Sequence, residues 1–552
     1  MLPLSPFSLF QPILNPISFP SPSANDTGPY PAAAGSSLDV VTRFPIVERN
    51  KLLTTLVFGP ALAIFLWFCV AYHTSPLKQY PGPFLAGWTN LWRVWQVYSG
   101  EYAPRIKKLH EKYGPVVRIG PNLLDLDIPD LFRVIYGTDG KWIKSDFYKN
   151  NSMIHNGKIT YHMFSEIDPA KHALIKRPIA RYYSVSAVQA TEHLMDSVLR
   201  EFLDTLQNRY VEVEKTCKFG DWLNYYAWDF LGMVTFSSKF GYMEHGCDFD
   251  GSLAIADKMI TYFTYCGQMP WTDYLLDKNP ICRIGPPNIE HVTRIAVEKL
   301  TSRLKGEDDN FREDKPDYLQ YFIESKSTHP DLVDDTGVIG YLLLNLLAGA
   351  DTTAIAMRAL FYFVLKDPRV FDRLQAEVRA SFAPFEPAAY AKARALPYLE
   401  AVVKETLRYH PPLSMAMERI VPAEGLQLPD GSVVPAGQTV GMNPYVLGRN
   451  RVVFGDDADR FHPDRWLRGD DEAEDVYKGR MQRWGQSLIA FGGGSRICVG
   501  RHIGTMEIYK VVATLLATFD IALEDPDARM QLCSKWFYQT KGVVCKLRPR
   551  SS

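Results

Sequence analysis

Phe491-Gly492-Gly493-Gly494-Ser495-Arg496-Ile497-Cys498-Val499-Gly500 sets one cysteine in a glycine-rich turn, directly ahead of an apolar-periodic run over 503–519. Three consecutive glycines and a fourth at Gly500 let the backbone come close to something large and hold one sulfur against it. A soft thiolate on a stiff turn suits iron. A lone cysteine in such a loop is ordinarily a small buried hydrophobe, so the reading depends on what the rest of the chain supplies.

Upstream, Phe461-His462-Pro463-Asp464-Arg465-Trp466 places an arginine in an aromatic, non-helical setting. Residues 396–410 have helical periodicity and stop at Pro411-Pro412, with Glu405 and Arg408 one turn apart. On an exposed helix that spacing is a surface ion pair worth about 0.3–0.5 kcal/mol. Residues 426–428 and 433–434 flank Pro429-Asp430-Gly431 and predict a hairpin. Further back, residues 338–365 form a long apolar helical run broken by Ala348-Gly349-Ala350-Asp351-Thr352-Thr353. Glycine there costs about 1 kcal/mol against alanine, and the hydroxyls compete for backbone carbonyls. A local rule broken inside a buried helix points to function. Dioxygen chemistry needs a small gap and protons for the distal oxygen: Gly349 would open the gap, and Thr352 with Asp351 would orient water and deliver protons. Asp168-Pro169 predicts a helix start that sets His172 and Lys176 one turn apart, two donors able to reach one carboxylate.

Phe491, Gly494, Arg496, Cys498 and Gly500 fit F-x-x-G-x-R-x-C-x-G. Together with the stretches 348–353, 405–408 and 461–466, in that order, they resemble the cytochrome P450 superfamily over about residues 79–552. The resemblance implies a mainly α fold with a minor β-sheet region, a single catalytic domain, and haem b held by Cys498 as the axial thiolate. It implies that Phe491 packs beneath the porphyrin, that Gly494 and Gly500 shape the loop at the cofactor, and that the helix behind Gly500 tunes the sulfur. Arg496, Arg419, His172 and Lys176 fall where the family binds propionates, Lys176 standing where arginine is commoner, so a fork becomes a point charge. Glu405, Arg408 and Arg465 resemble the family's buried network bracing the segment that leads to the cysteine. A-G-x-D-T-T resembles its oxygen-activation motif, residues 136–165 its pocket roof, and residues 413–417 a segment running beside the haem. Trp536-Phe537, residues 541–547 and Lys144-Ser145-Asp146-Phe147-Tyr148 look most like fungal members related to pisatin demethylase, which often oxidise secondary metabolites. The implied reaction inserts one atom of O2 into a small organic molecule. Its electrons come from NADPH through a separate reductase, with a small cytochrome as a further donor.

The chain has 552 residues, 46% hydrophobic and 22% charged, with a net charge of −1, which excludes the basic balance of a nucleic-acid binder. Eight scattered cysteines without a C-x-x-C pair suggest neither a zinc module nor a disulfide scaffold. No G-x-G-x-x-G follows a strand, so a dinucleotide-binding half is not expected. Residues 1–50, rich in Pro, Ser and Ala, predict a disordered extension carrying a glycosylation sequon at Asn25. Residues 51–73 predict a transmembrane anchor whose uncharged apolar span, Leu52 to Tyr72, reaches roughly 31 Å at about 1.5 Å per residue. Tyr80-Pro81-Gly82-Pro83, within a hinge over 74–87, predicts a stiff spacer ahead of a haem-thiolate domain over 88–552. Arg43, Arg49 and Lys51 before the span lean toward a cytoplasmic N-terminus. The resemblance implies the reverse, a single-pass protein of the endoplasmic reticulum membrane with its catalytic domain cytosolic.

Two other functions fit a cysteine-ligated haem: a haem-thiolate isomerase or dehydratase needing no external oxygen, and a non-catalytic haem-binding protein. The intact Asp351-Thr352 pair argues against the first, which has less use for a proton relay.

Overall fold

The computed structural model describes residues 46–155, 157–285 and 290–550. Its principal helices include α1 (Ile46–Thr74), α2 (Pro169–Lys176), α3 (Phe219–Phe236), α4 (Asp335–Lys366), α5 (Pro397–Tyr409) and α6 (Arg501–Thr518). At 32 residues α4 is long and apolar enough to cross a membrane, yet half of it is buried inside the protein, where it packs against α3 and α6. Asp334 starts it, its carboxylate accepting from the Gly337 N–H at 2.8 Å. The interruption predicted at 348–353 does not occur, because the helix runs through unbroken. Thr352 and Thr353 donate their hydroxyls to the carbonyls of Ala348 and Gly349, four residues back, at 3.0 and 3.1 Å, which satisfies them without displacing the main-chain ladder.

The fold is mainly helical with small sheets, as the sequence predicts. The largest sheet has five strands: β1 (Val116–Gly120), β2 (Leu123–Leu126), β3 (Ile143–Lys144), β4 (Arg419–Ile420) and β5 (Thr439–Gly441), in the order β1-β2-β5-β4-β3. β2 and β5 are parallel, and β4 runs antiparallel to both its neighbours. This register sets Lys144 directly opposite Arg419. The hairpin around Pro429-Asp430-Gly431 forms as predicted. The roof stretch 136–165 holds β3, a 3₁₀ turn at Asp146–Asn151 and a short strand pair, Met153–His155 with Lys158–Thr160. Its Phe147 lies edge-on to Phe263, with centroids 4.9 Å apart, and Phe263 likewise to Trp536 at 5.2 Å, so Phe263 is core while Trp271 stays 60% exposed.

The extension with Asn25 lies outside the described residues. Residues 46–66 and those from Trp67 onward fall in separate units. In the first, Phe58, Leu62, Ile64, Phe65 and Leu66 are apolar and exposed on α1. In the second, Tyr72 packs on Phe84 and Trp88, and Leu77 and Tyr80 are buried. The Arg118 N–H donates to the Pro81 carbonyl at 2.8 Å, and a Cβ on Gly82 would come within 2.2 Å of the Arg118 oxygen. The prolines predict a spacer; the segment they stiffen lies instead directly on β1.

Candidate active site

The cysteine turn owes its shape to contacts with its own chain. Gly492 and Gly494 have φ of +70° and +58°, which side-chain-bearing residues seldom adopt. A Cβ on Gly493 would fall 2.4 Å from Phe132 Cζ, and one on Gly494 1.9 Å from the Tyr136 carbonyl oxygen. The glycines therefore seat the loop on the segment 132–137. Gly500 differs: its φ is −79°, and a Cβ there would meet nothing within 4 Å. That open space belongs to a cavity of about 330 Å³.

Cys498 is held by its own N–H, which donates to the Phe491 carbonyl at 2.9 Å, and its side chain opens into the cavity. Burial raises the thiol's pKa; the N–H of Gly500, the Arg501 and Lys176 cations and the N–H of Arg501 oppose it. Those N–H groups belong to the start of α6, where backbone donors are otherwise unpaired.

Lys144, Lys176, Arg419 and Arg496 also line the cavity, with His172 among them. Their fixed partners are backbone carbonyls. Lys144 Nζ donates to Phe164 at 2.6 Å, Lys176 Nζ to Ser495 at 2.9 Å, Arg419 Nη1 to Glu418 at 2.9 Å, and Arg496 to Glu166 and Ile167 at 2.6 and 2.9 Å. Among the described residues none of these cations forms an ion pair with a carboxylate. Burial and their mutual repulsion hold Lys144 well below the usual lysine range, bring Arg496 down to about 10 and push His172 down to about 3. So much positive charge, held by carbonyl dipoles and aromatic rings and by no carboxylate ion pair among the described residues, suits a ligand carrying two carboxylates, and haem with its propionates fits.

On another wall, Gly349, Asp351 and Thr352 of α4 line the same cavity. A Cβ at Gly349 would come 2.7 Å from Leu231 Cδ1, so this glycine admits the close approach of α3. Asp351 Oδ1 accepts from the Trp228 indole N–H at 3.1 Å, and burial raises the carboxyl's pKa. Apolar groups from Leu344, Met259, Ile260, Leu413 and Trp536 complete the enclosure.

Glu405, Arg408 and Arg465 lie outside the cavity and are buried. Arg408 grips Glu405 with two nitrogens, each at 2.7 Å, and Arg465 Nε reaches Glu405 Oε1 at 3.1 Å. The Trp466 indole and the His462 N–H also donate to Glu405, at 2.9 and 2.7 Å. The surface-pair meaning of that spacing does not apply.

The structure thus brings Cys498, Phe491, Gly500, Arg496, Arg419, His172, Lys176, Gly349, Asp351 and Thr352 to one cavity, and sets Gly494 against Tyr136 instead. Sequence reasoning missed Lys144, Trp228 and Glu507. Glu507 is a buried carboxyl on α6, held well above the carboxylate range by burial, with Thr353 as a hydrogen-bond partner and Oε1 unpartnered. A signal existed: Gly500, Ile503, Gly504 and Glu507 recur at helical spacing and all face the cavity.

A cytochrome P450 family model matches residues 81–545. Cytochrome P450 monooxygenase cfoH of Aspergillus candidus is 42% identical over 493 residues, 89% of this chain and 91% of that protein. A cytochrome P450 monooxygenase of Aspergillus terreus is 35% identical, covering 84% of this chain and 94% of its own, and cytochrome P450 monooxygenase cicH of Emericella nidulans is 35% identical over 86% and 94%. The chain belongs to the cytochrome P450 family, oxidoreductases that use haem and dioxygen.

Proposed function

We propose that this protein is a membrane-anchored haem-thiolate monooxygenase acting on a small molecule, a fungal secondary-metabolite intermediate. One observation carries the reading: Cys498, an excess of cations with no carboxylate ion pair among the described residues, and the Asp351-Thr352 pair share a single cavity. When bound, haem b supplies reductive activation of dioxygen on NADPH electrons passed by a separate reductase or a small cytochrome. One oxygen atom enters the substrate and the other leaves as water, so two protons are consumed.

The chain's own residues divide that work. Cys498 would hold the haem iron through its thiolate, and the N–H groups of Gly500 and Arg501 would spread the charge on that sulfur. Arg496, Arg419, Lys144, Lys176 and His172 receive the propionates, and Phe491 walls the loop from solvent. The Thr352 hydroxyl donates its hydrogen bond to the Ala348 carbonyl, which leaves the oxygen free to accept from water. Asp351, raised by burial, takes up and releases protons more evenly than an exposed aspartate. The exposed apolar face of α1 anchors the protein in the endoplasmic reticulum membrane, with the large domain cytosolic. A glycan at Asn25 would put the N-terminus in the lumen, and protease protection of the large domain would overturn that orientation.

The deciding measurement is the spectrum of the reduced, carbon monoxide-bound protein. A red-shifted Soret band of thiolate type is expected, and Cys498→Ser should abolish it. A parent protein without that band sinks the reading.

A further inference from the structure

Trp228 sits mid-way along α3, 3% exposed, among the aromatic rings of Phe240 and Tyr242. A buried indole N–H needs an acceptor. It finds Asp351 Oδ1, at 3.1 Å, on the helix that α3 packs against. Asp351 makes no ion pair among the described residues. The charged groups that face it are Arg358 of α4, which favours the carboxylate, and Asp257 of the helix Ser252–Gln268, which disfavours it. Arg358 is itself committed to the Gly220 and Thr540 carbonyls, at 2.6 and 3.3 Å.

We propose that Trp228 is a positioning residue for Asp351: its indole N–H fixes Oδ1 against α3 and leaves Oδ2 as the oxygen that exchanges protons with cavity water. The donor is neutral, and that matters. A guanidinium or ammonium in its place would bind the carboxylate about twice as strongly and lock it ionised. An indole orients the group while leaving it able to accept a proton, in the direction burial already pushes it. This rests on Asp351 exchanging protons in the proposed monooxygenase reaction.

The test uses the full-length, haem-loaded protein. The C=O stretch of the protonated Asp351 carboxyl is identified by infrared difference against Asp351→Asn and titrated. Trp228→Phe removes the donor and keeps a ring, so the band's midpoint should rise by about one pH unit. With a flavoprotein reductase, NADPH and no substrate, electrons leave as hydrogen peroxide (two per O2) or as water (four per O2). The peroxide share should rise about threefold in Trp228→Phe. Trp228→His retains a ring N–H, and its peroxide share should rise only as pH falls and the imidazole becomes a cation that locks Asp351. That profile decides the matter if Trp228→Phe does not hold haem. Parent-like midpoint and peroxide share in Trp228→Phe, or a parent-like profile in Trp228→His, would overturn the inference. If Asp351→Asn itself leaves the peroxide share unchanged, the role of Asp351 fails, and with it this inference.

Discussion

Thr352 and Lys144 show how differently single residues announce themselves. Thr352 stands in a stretch whose composition is wrong for a plain helix, so the chain alone singles it out as a candidate. Thr352→Ala should raise hydrogen peroxide release severalfold and lower product to match, with the carbon monoxide spectrum unchanged; undiminished product would favour a rearranging enzyme instead. Lys144 lies in a stretch with no periodicity, and it gains meaning only because the β3–β4 register sets it opposite Arg419. Lys144→Met removes a cation whose charge burial disfavours. The haem-free protein should therefore melt higher, while haem binding weakens by about 1.5–3 kcal/mol. Thermal melts of both forms, with haem counted by pyridine haemochrome, would read the two opposite signs. A lower melting temperature in the haem-free variant would show that Lys144 is structural.

Among elements, α5 was legible as a helix from its own pattern, and as a brace only through the family resemblance of Glu405, Arg408 and Arg465. Its periodicity and the Pro411-Pro412 stop mark its extent, but no local pattern tells a surface Glu-Arg pair from one at 0% exposure. What buries it is the turn Pro463–Trp466, which lies against α5 and brings Arg465 and the Trp466 indole to the same carboxylate. Removing one partner strands charge in the interior, so Arg465→Met should cost about 3–5 kcal/mol in a denaturant titration. Replacing Glu405, Arg408 and Arg465 together by apolar residues removes the buried trio of charges but leaves Asp457 without Arg465 and the Trp466 and His462 donors without Glu405, so it should cost about as much as that single change. A triple variant less stable than Arg465→Met would show that the network contributes more than self-consistency. α4 teaches the converse: residues at 348–353 that looked like a break are absorbed by hydroxyl-to-carbonyl bonds and by the room Gly349 leaves for Leu231.

For the molecule as a whole, the class and the cysteine loop were plain in the sequence, whereas contacts joining distant segments, such as Trp228 with Asp351, were not. Neither periodicity nor motif spacing carries information about which faces of two remote helices meet. Buried histidines give a further property of the whole fold. His410 stacks on Tyr538 with centroids 4.3 Å apart and contacts its carbonyl at 3.0 Å through Nε2. Burial lowers His410 to about 3 and His162 to about 4. Unfolding lets both titrate near the ordinary 6.5, so the unfolded chain binds more protons and stability rises with pH. The contribution of these two should be full above about 7 and fall steadily as pH drops from there toward 4, against an opposite one from His110, which, despite burial, its bond to Asp125 holds above the usual histidine value. His410→Gln should flatten that slope in urea titrations repeated across pH, and an unchanged slope would assign it to other groups.

The seating of Gly493 and Gly494 on Phe132 and the Tyr136 carbonyl has a consequence in time. The cysteine loop cannot take its final form until a strip synthesised long before it is in place, so the shape of the loop depends on a contact between segments far apart in the chain. On the proposed ligand role of Cys498, the protein must close around distant parts of itself before it can grip iron tightly. Cofactor capture then acts as a checkpoint on completed folding, and chains that stall earlier should be met by the cell's proteases without haem.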